Sequence, residues 1–153
     1  MQKKVLISIR GTQIPEGEEP QTIELRTDGT LSREDGALCL SYVESEMTGL
    51  EGVVTAFRVE DGRIILSRKG KVNSTMTFVA GESIDSLYDV GVGAMLLSVR
   101  TKTVRSALTE DGGSFYIDYA VELEHVYVGT NVYEIDVRLP EQPEEEPEKE
   151  ENE

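Results

Sequence analysis

Apolar and polar residues alternate with a period of two through most of the first 139 residues. Val5, Ile7 and Ile9 form one such row, and Ile23 and Leu25 a second. Leu38, Leu40 and Tyr42 continue it, then Thr55, Phe57 and Val59, then Ile64 and Leu66, then Met76 and Phe78. The longest row is Phe115, Ile117, Tyr119, Val121 and Leu123, with Tyr116, Asp118, Ala120 and Glu122 between. Tyr133, Ile135, Val137 and Leu139 close it. Successive side chains of a strand point to opposite faces, so this pattern marks antiparallel strands with one buried face. It predicts about nine strands, at 3–13, 21–27, 36–45, 52–60, 63–70, 71–80, 94–107, 114–126 and 131–139. The separators carry turn chemistry: Asp28-Gly29, Asp35-Gly36, Asp61-Gly62, Asp111-Gly112-Gly113 and Gly129-Thr130-Asn131. Only 82–88 reads as a short helix or turn, because Ile84, Leu87 and Tyr88 share a helical face. Many strands joined by short links, with no long helix, predict an all-β fold. An antiparallel up-and-down β-barrel of about 8–10 strands also removes the exposed edges.

Charge narrows the partners. The chain has 153 residues, 30 acidic against 15 basic, for a formal charge of −15. Nucleic acid and anionic membrane are held by Lys and Arg, so neither is expected as a partner. Eight Glu and one Lys fall in 140–153 beside three Pro. That composition cannot bury enough surface to offset ordering, so a disordered acidic tail is expected after a single barrel domain at 1–139. Cys39 and His125 are the only residues of their types, which rules out an internal disulfide, a multi-cysteine zinc site and a His-rich metal site. No metal or cofactor is expected. The apolar run Val5–Ile9 is too short for a secretory leader, and no stretch approaches a membrane helix. A cytoplasmic location is expected.

Several short motifs stand in a characteristic order. Tyr42-Val-Glu44 is followed by Gly52, by Ile65-Leu-Ser-Arg68-Lys-Gly70, and by Met76 to Gly81. Tyr88, Gly91, Gly93 and Thr101 come next, and then Phe115 to Leu123 around Tyr119. Across roughly 3–139 this resembles the YwiB-like family of small bacterial proteins. The resemblance implies a calycin-type β-barrel, related in shape to lipocalins. The family has no established activity, so it implies no catalytic residue. The lipocalin Gly-x-Trp signature is absent, since the chain has no Trp.

The phase of the strands singles out one constellation. Glu44 is in phase with Leu38, Leu40 and Tyr42, and Arg68 with Ile64 and Leu66. In a meander both strands run the same way, so Glu44 and Arg68 are expected to point inward at one end. On the same count strand 94–107 runs up as well, which brings Arg105 near that mouth; the opposite face would offer Arg100 instead. A buried charge needs a partner. Either Glu44 and Arg68 form an ion pair that closes the mouth, or Arg68, with Tyr42, Tyr119 and Arg105, receives a small anion or a carboxylate-headed ligand. His125 reads as a strand-end residue and Cys39 as a half-buried thiol. Gly91-Val-Gly93 lacks the residues of a phosphate loop. No nucleophile with an adjacent base is evident, so no enzymatic activity is expected. The alternative to a ligand-binding barrel is a packed barrel that acts as a protein-interaction or dimerisation module. Its patch would be the outward Val43, Val54, Ala56, Ile65, Val79 and Leu96.

Overall fold

The computed structural model describes residues 1–140, so the expected acidic tail lies outside the described residues apart from Pro140. The strands are β1 (Gln2–Pro15), β2 (Gln21–Glu34), β3 (Ala37–Val43), β4 (Val54–Glu60) and β5 (Arg63–Lys69). They continue as β6 (Asn73–Phe78), β7 (Ser83–Asp89), β8 (Ala94–Ser106), β9 (Gly112–Leu123) and β10 (Val126–Arg138). Each is antiparallel to its sequence neighbour, and β10 returns to β1, with Leu6 opposite Arg138 and Pro15 opposite Gly129. The result is a closed up-and-down barrel of ten strands.

Three local expectations are corrected. The segment 82–88 is not a helix or turn but strand β7, whose inward residues are Ile84, Ser86 and Tyr88. Its mixed pattern suited either period, and the open edges of β6 and β8 decide it in favour of a strand. Asp28-Gly29 is not a turn, because β2 runs through it to Glu34. Gly29 marks a close approach there: a Cβ at that position would collide with Ile7 and with the Ser41 carbonyl. Gly129-Thr130-Asn131 lies inside β10, at a bulge between Tyr127 and Gly129. The turn before it is Glu124-His125, with φ of 51° and 68°, and Leu123 and Val126 pair across it.

The barrel has two unlike ends. Loops 35–36, 61–62, 79–82 and 107–111 gather at one, where Arg33 Nε meets Glu110 at 2.5 Å and Lys3 meets Asp111 at 3.2 Å. The interior of that half is solid. Phe57 packs edge-on against Phe115 and Tyr133, with ring centroids 5.3 and 5.9 Å away, and Phe78 lies 4.6 Å from Tyr119. Leu31, Leu40, Ile64, Ile117 and Ile135 fill the rest, all buried. Loops 16–20, 44–53, 70–72, 90–93 and 124–125 gather at the other end, and the interior beneath them is hollow. No helix among the described residues is long and apolar enough to cross a membrane.

Candidate functional site

The hollow half is a cavity of about 420 Å³, within the roughly 300–1,000 Å³ range of small-molecule sites. Its wall is mostly apolar: Ile9, Leu25, Met76, Leu97, Val121 and Leu123 among others. These come from the inward phase of β1, β2, β6, β8 and β9, so the alternation of the sequence builds the wall directly. The polar groups are few: Arg68, Glu44, Tyr42, Tyr119, Tyr133, Asn131 and Thr48 are the main ones.

Arg68 lies on β5, and its Nη2 donates to the Tyr133 hydroxyl at 3.0 Å. Tyr133 is on β10, five places away around a ring of ten strands. The Arg68 and Tyr133 side chains therefore meet across the lumen and together form a bar that borders the cavity. Among the described residues that is the only hydrogen bond of the guanidinium, and Nε is covered with no acceptor. A guanidinium carries five N–H donors, so most of its bonding capacity is unused. Burial works against its charge. The neighbouring Tyr133 with its hydrogen bond, Tyr119 and Glu44 outweigh that, and the proton is held above the ordinary arginine value.

Glu44 is 4% exposed. Its carboxylate accepts from the Thr55 hydroxyl at 2.6 Å and the Thr48 hydroxyl at 3.0 Å. Its backbone closes the 44–53 loop, with Glu44 N on Val53 O at 2.8 Å and Gly52 N on Glu44 O at 3.1 Å. Inside that loop Ser45 caps the 3-10 turn Glu46–Thr48, and Gly49 supplies the left-handed residue after it, at φ 79°. Thr48 and Leu50 are thereby brought over the cavity.

Tyr42 and Tyr119 are both buried on the inner face. Burial pushes both hydroxyls well above the ordinary tyrosine range, helped at Tyr42 by Glu44 and at Tyr119 by Tyr133. Each is a neutral O–H at any physiological pH. Asn131 Nδ2 donates to the Tyr119 hydroxyl at 3.3 Å.

Glu44, Arg68, Tyr42 and Tyr119 thus line one cavity. The Glu44–Arg68 ion pair considered above is not formed, since each group bonds to neutral partners. Arg105 is a correction. It is exposed on the outer face, with its guanidinium 4.4 Å from the centroid of the Tyr116 ring. Two causes combine. Strand β7 adds one passage across the barrel, so β8 runs away from the mouth. A bulge between Thr101 and Thr103 then reverses the phase, so Val104 faces in beside Ile117 and Arg105 faces out beside Tyr116. Arg100 is exposed as well, so neither arginine reaches the cavity. Of the outward apolar residues, Val43 and Val54 are exposed cross-strand partners, while Ala56, Ile65, Val79 and Leu96 are half-buried. His125 is exposed in its hairpin turn and Cys39 is half-buried, with burial raising its thiol.

Tyr133, Asn131, Thr48 and Thr55 were not singled out by sequence reasoning. Tyr133 and Thr55 were legible as inward residues from their phase. Their partnership with Arg68 and Glu44 depends on which strands face each other across the lumen, which alternation does not encode.

The profile of a family described as a domain of unknown function, DUF1934, matches residues 7–135. The uncharacterized β-barrel protein YwiB of Bacillus subtilis strain 168 is 32% identical over 118 residues, covering 74% of this chain and 82% of that protein. The crystal structure of the ywiB protein from Bacillus subtilis superposes with a TM-score of 0.72 at 24% identity, over 88% of this chain and 92% of that one. That likeness is one of fold.

Proposed function

We propose that this chain, which belongs to the DUF1934 family of β-barrel proteins, is a non-enzymatic binding barrel for a small apolar ligand with a carboxylate or similar anionic head. The observation that carries the reading is Arg68. A permanently charged guanidinium borders a cavity of about 420 Å³, bonded only to a neutral phenol. An anionic head would meet its unused donors, and the apolar wall would take the ligand's body. Charge-assisted bonds to such a head are the strong kind, and bidentate geometry suits a carboxylate. Tyr42 and Tyr119 stay neutral beside it and add hydroxyls without repelling the anion. No His or Cys lines the cavity, which favours holding a molecule over transforming it. A cytoplasmic setting accords with the lone thiol.

The test is calorimetric titration of the full chain with decanoate and with decanol. Decanoate is expected to bind, and Arg68→Met is expected to cost roughly 1.5–3 kcal/mol, the loss of a hydrogen bond to a charged group. That is about tenfold to a hundredfold in Kd. Decanol affinity is expected to stay where it was. Decanoate binding that survives Arg68→Met unchanged would overturn the assignment of the head group.

A further inference from the structure

The cavity holds a second buried group that an anionic head does not use. Glu44 lines the same cavity at 4% exposure, and its carboxylate meets only neutral hydroxyls, those of Thr48 and Thr55 and that of the neighbouring Tyr42. A carboxylate offers about four acceptor positions, so part of its capacity remains open. Arg68 is close by. Thr55, whose hydroxyl holds Glu44, is the cross-strand partner of Arg68 on the β4–β5 ladder. Two opposite charges in one low-dielectric space would ordinarily meet in a bidentate pair. Here they are held apart. Thr55 and Thr48 hold Glu44 against β4 and the 44–53 loop, and Tyr133 draws the guanidinium to the opposite wall. Each pole is thereby kept from the other and bonded to neutral groups alone, with Arg68 Nε left without an acceptor. The cavity carries two opposite charges, a few neutral polar groups and an otherwise apolar wall.

From this juxtaposition, which rests on the anionic-head reading of Arg68, we propose that the ligand is an amphipathic zwitterion. Its carboxylate is received by Arg68, its ammonium by Glu44, and its apolar body by the wall of Ile9, Leu25, Met76 and Leu97. A plain fatty acid would leave Glu44 as an uncompensated carboxylate near its own head, and an amine would leave Arg68 unanswered. A molecule with both groups settles both, and it offsets the like-charge repulsion that an acid alone meets at Glu44.

The experiment titrates the full chain with decanoate, 2-aminodecanoate and N-acetyl-2-aminodecanoate. The aminated acid is expected to bind at least about tenfold more tightly than decanoate, about 1.4 kcal/mol. N-acetylation, which removes the positive charge and leaves the protein untouched, is expected to abolish that advantage. Glu44→Gln is expected to abolish it too, with an unchanged far-ultraviolet circular dichroism spectrum showing that the variant is folded. If decanoate binds as tightly as its amino derivative, the zwitterion inference falls and the anionic-head reading stands. If none of the three binds, both fall.

Discussion

Thr55→Val isolates the support beneath Glu44. The substitution keeps the shape of a side chain that is fully buried, so the change is confined to the hydroxyl. That hydroxyl donates to Glu44 Oε2 at 2.6 Å. Its removal leaves a buried carboxylate oxygen without its donor, at a cost of roughly 1.5–3 kcal/mol. For a domain near 140 residues, 1 kcal/mol moves Tm by about 4 °C, so a fall of roughly 6–12 °C is expected. The assay is urea and thermal denaturation of refolded, ligand-free protein, followed by far-ultraviolet circular dichroism. A double variant separates the two partners of this bond more sharply. Glu44→Met alone strands the Thr55 hydroxyl, while the Thr48 hydroxyl keeps the Ser45 carbonyl, whereas Glu44→Met with Thr55→Val removes both ends of one bond. Replacing both partners by apolar groups is far cheaper than removing one, so the double variant is expected to lose at least about 1 kcal/mol less than the sum of the singles. Strict additivity, or a Thr55→Val loss below about 0.5 kcal/mol, would refute the idea that this hydroxyl sustains a buried carboxylate.

Two further outcomes follow from the same geometry. Tyr42 and Tyr119 hold their protons in the folded barrel well above the ordinary range. A raised folded-state pKa means that the stability is fully present below the unfolded value and is lost as pH climbs past it. Above about pH 10, stability should therefore fall by roughly 2.7 kcal/mol per pH unit for the pair, a slope that Tyr42→Phe with Tyr119→Phe should flatten in urea titrations between pH 9.5 and 11.5. Arg105→Ala should leave decanoate affinity within about twofold, less than 0.5 kcal/mol, because Arg105 lies over Tyr116 on the outer face; a larger loss by calorimetry would place it inside.

The inward faces of β3, β4, β5 and β9 were legible because each keeps an unbroken period of two. That was enough to bring Glu44, Arg68, Tyr42 and Tyr119 to one lumen. The misreadings have one physical origin: local signals were ambiguous where tertiary closure decides. Ser83–Asp89 carries Leu87 outward, at 62% exposed, which blurs the alternation and let a helical face show through. Missing that strand inverted the direction of β8, and the bulge at Thr101/Thr103 completed the error at Arg105. Asp28-Gly29 has turn composition, yet its glycine serves the approach of β1 and β3 rather than a reversal. Closure itself, which sets Tyr133 opposite Arg68, is a property of ring order and leaves no trace in any one segment.

That ring has one seam unlike the rest. Every other ladder joins strands adjacent in sequence, and only β1 with β10 joins the two extremes of the described chain. The sequence-adjacent hairpins enclose short loops and can form early, while the seam must wait for the longest loop closure in the molecule. Until it forms, β1 and β10 each present a bare row of backbone donors and acceptors, Leu6 to Pro15 on one side and Gly129 to Arg138 on the other. The slow step of folding and the hazard of chains joining edge to edge therefore belong to the same seam. During synthesis β1 leaves the ribosome long before β10 exists, so the interval in which a nascent chain can pair with its neighbour is set by the time taken to make the remaining strands.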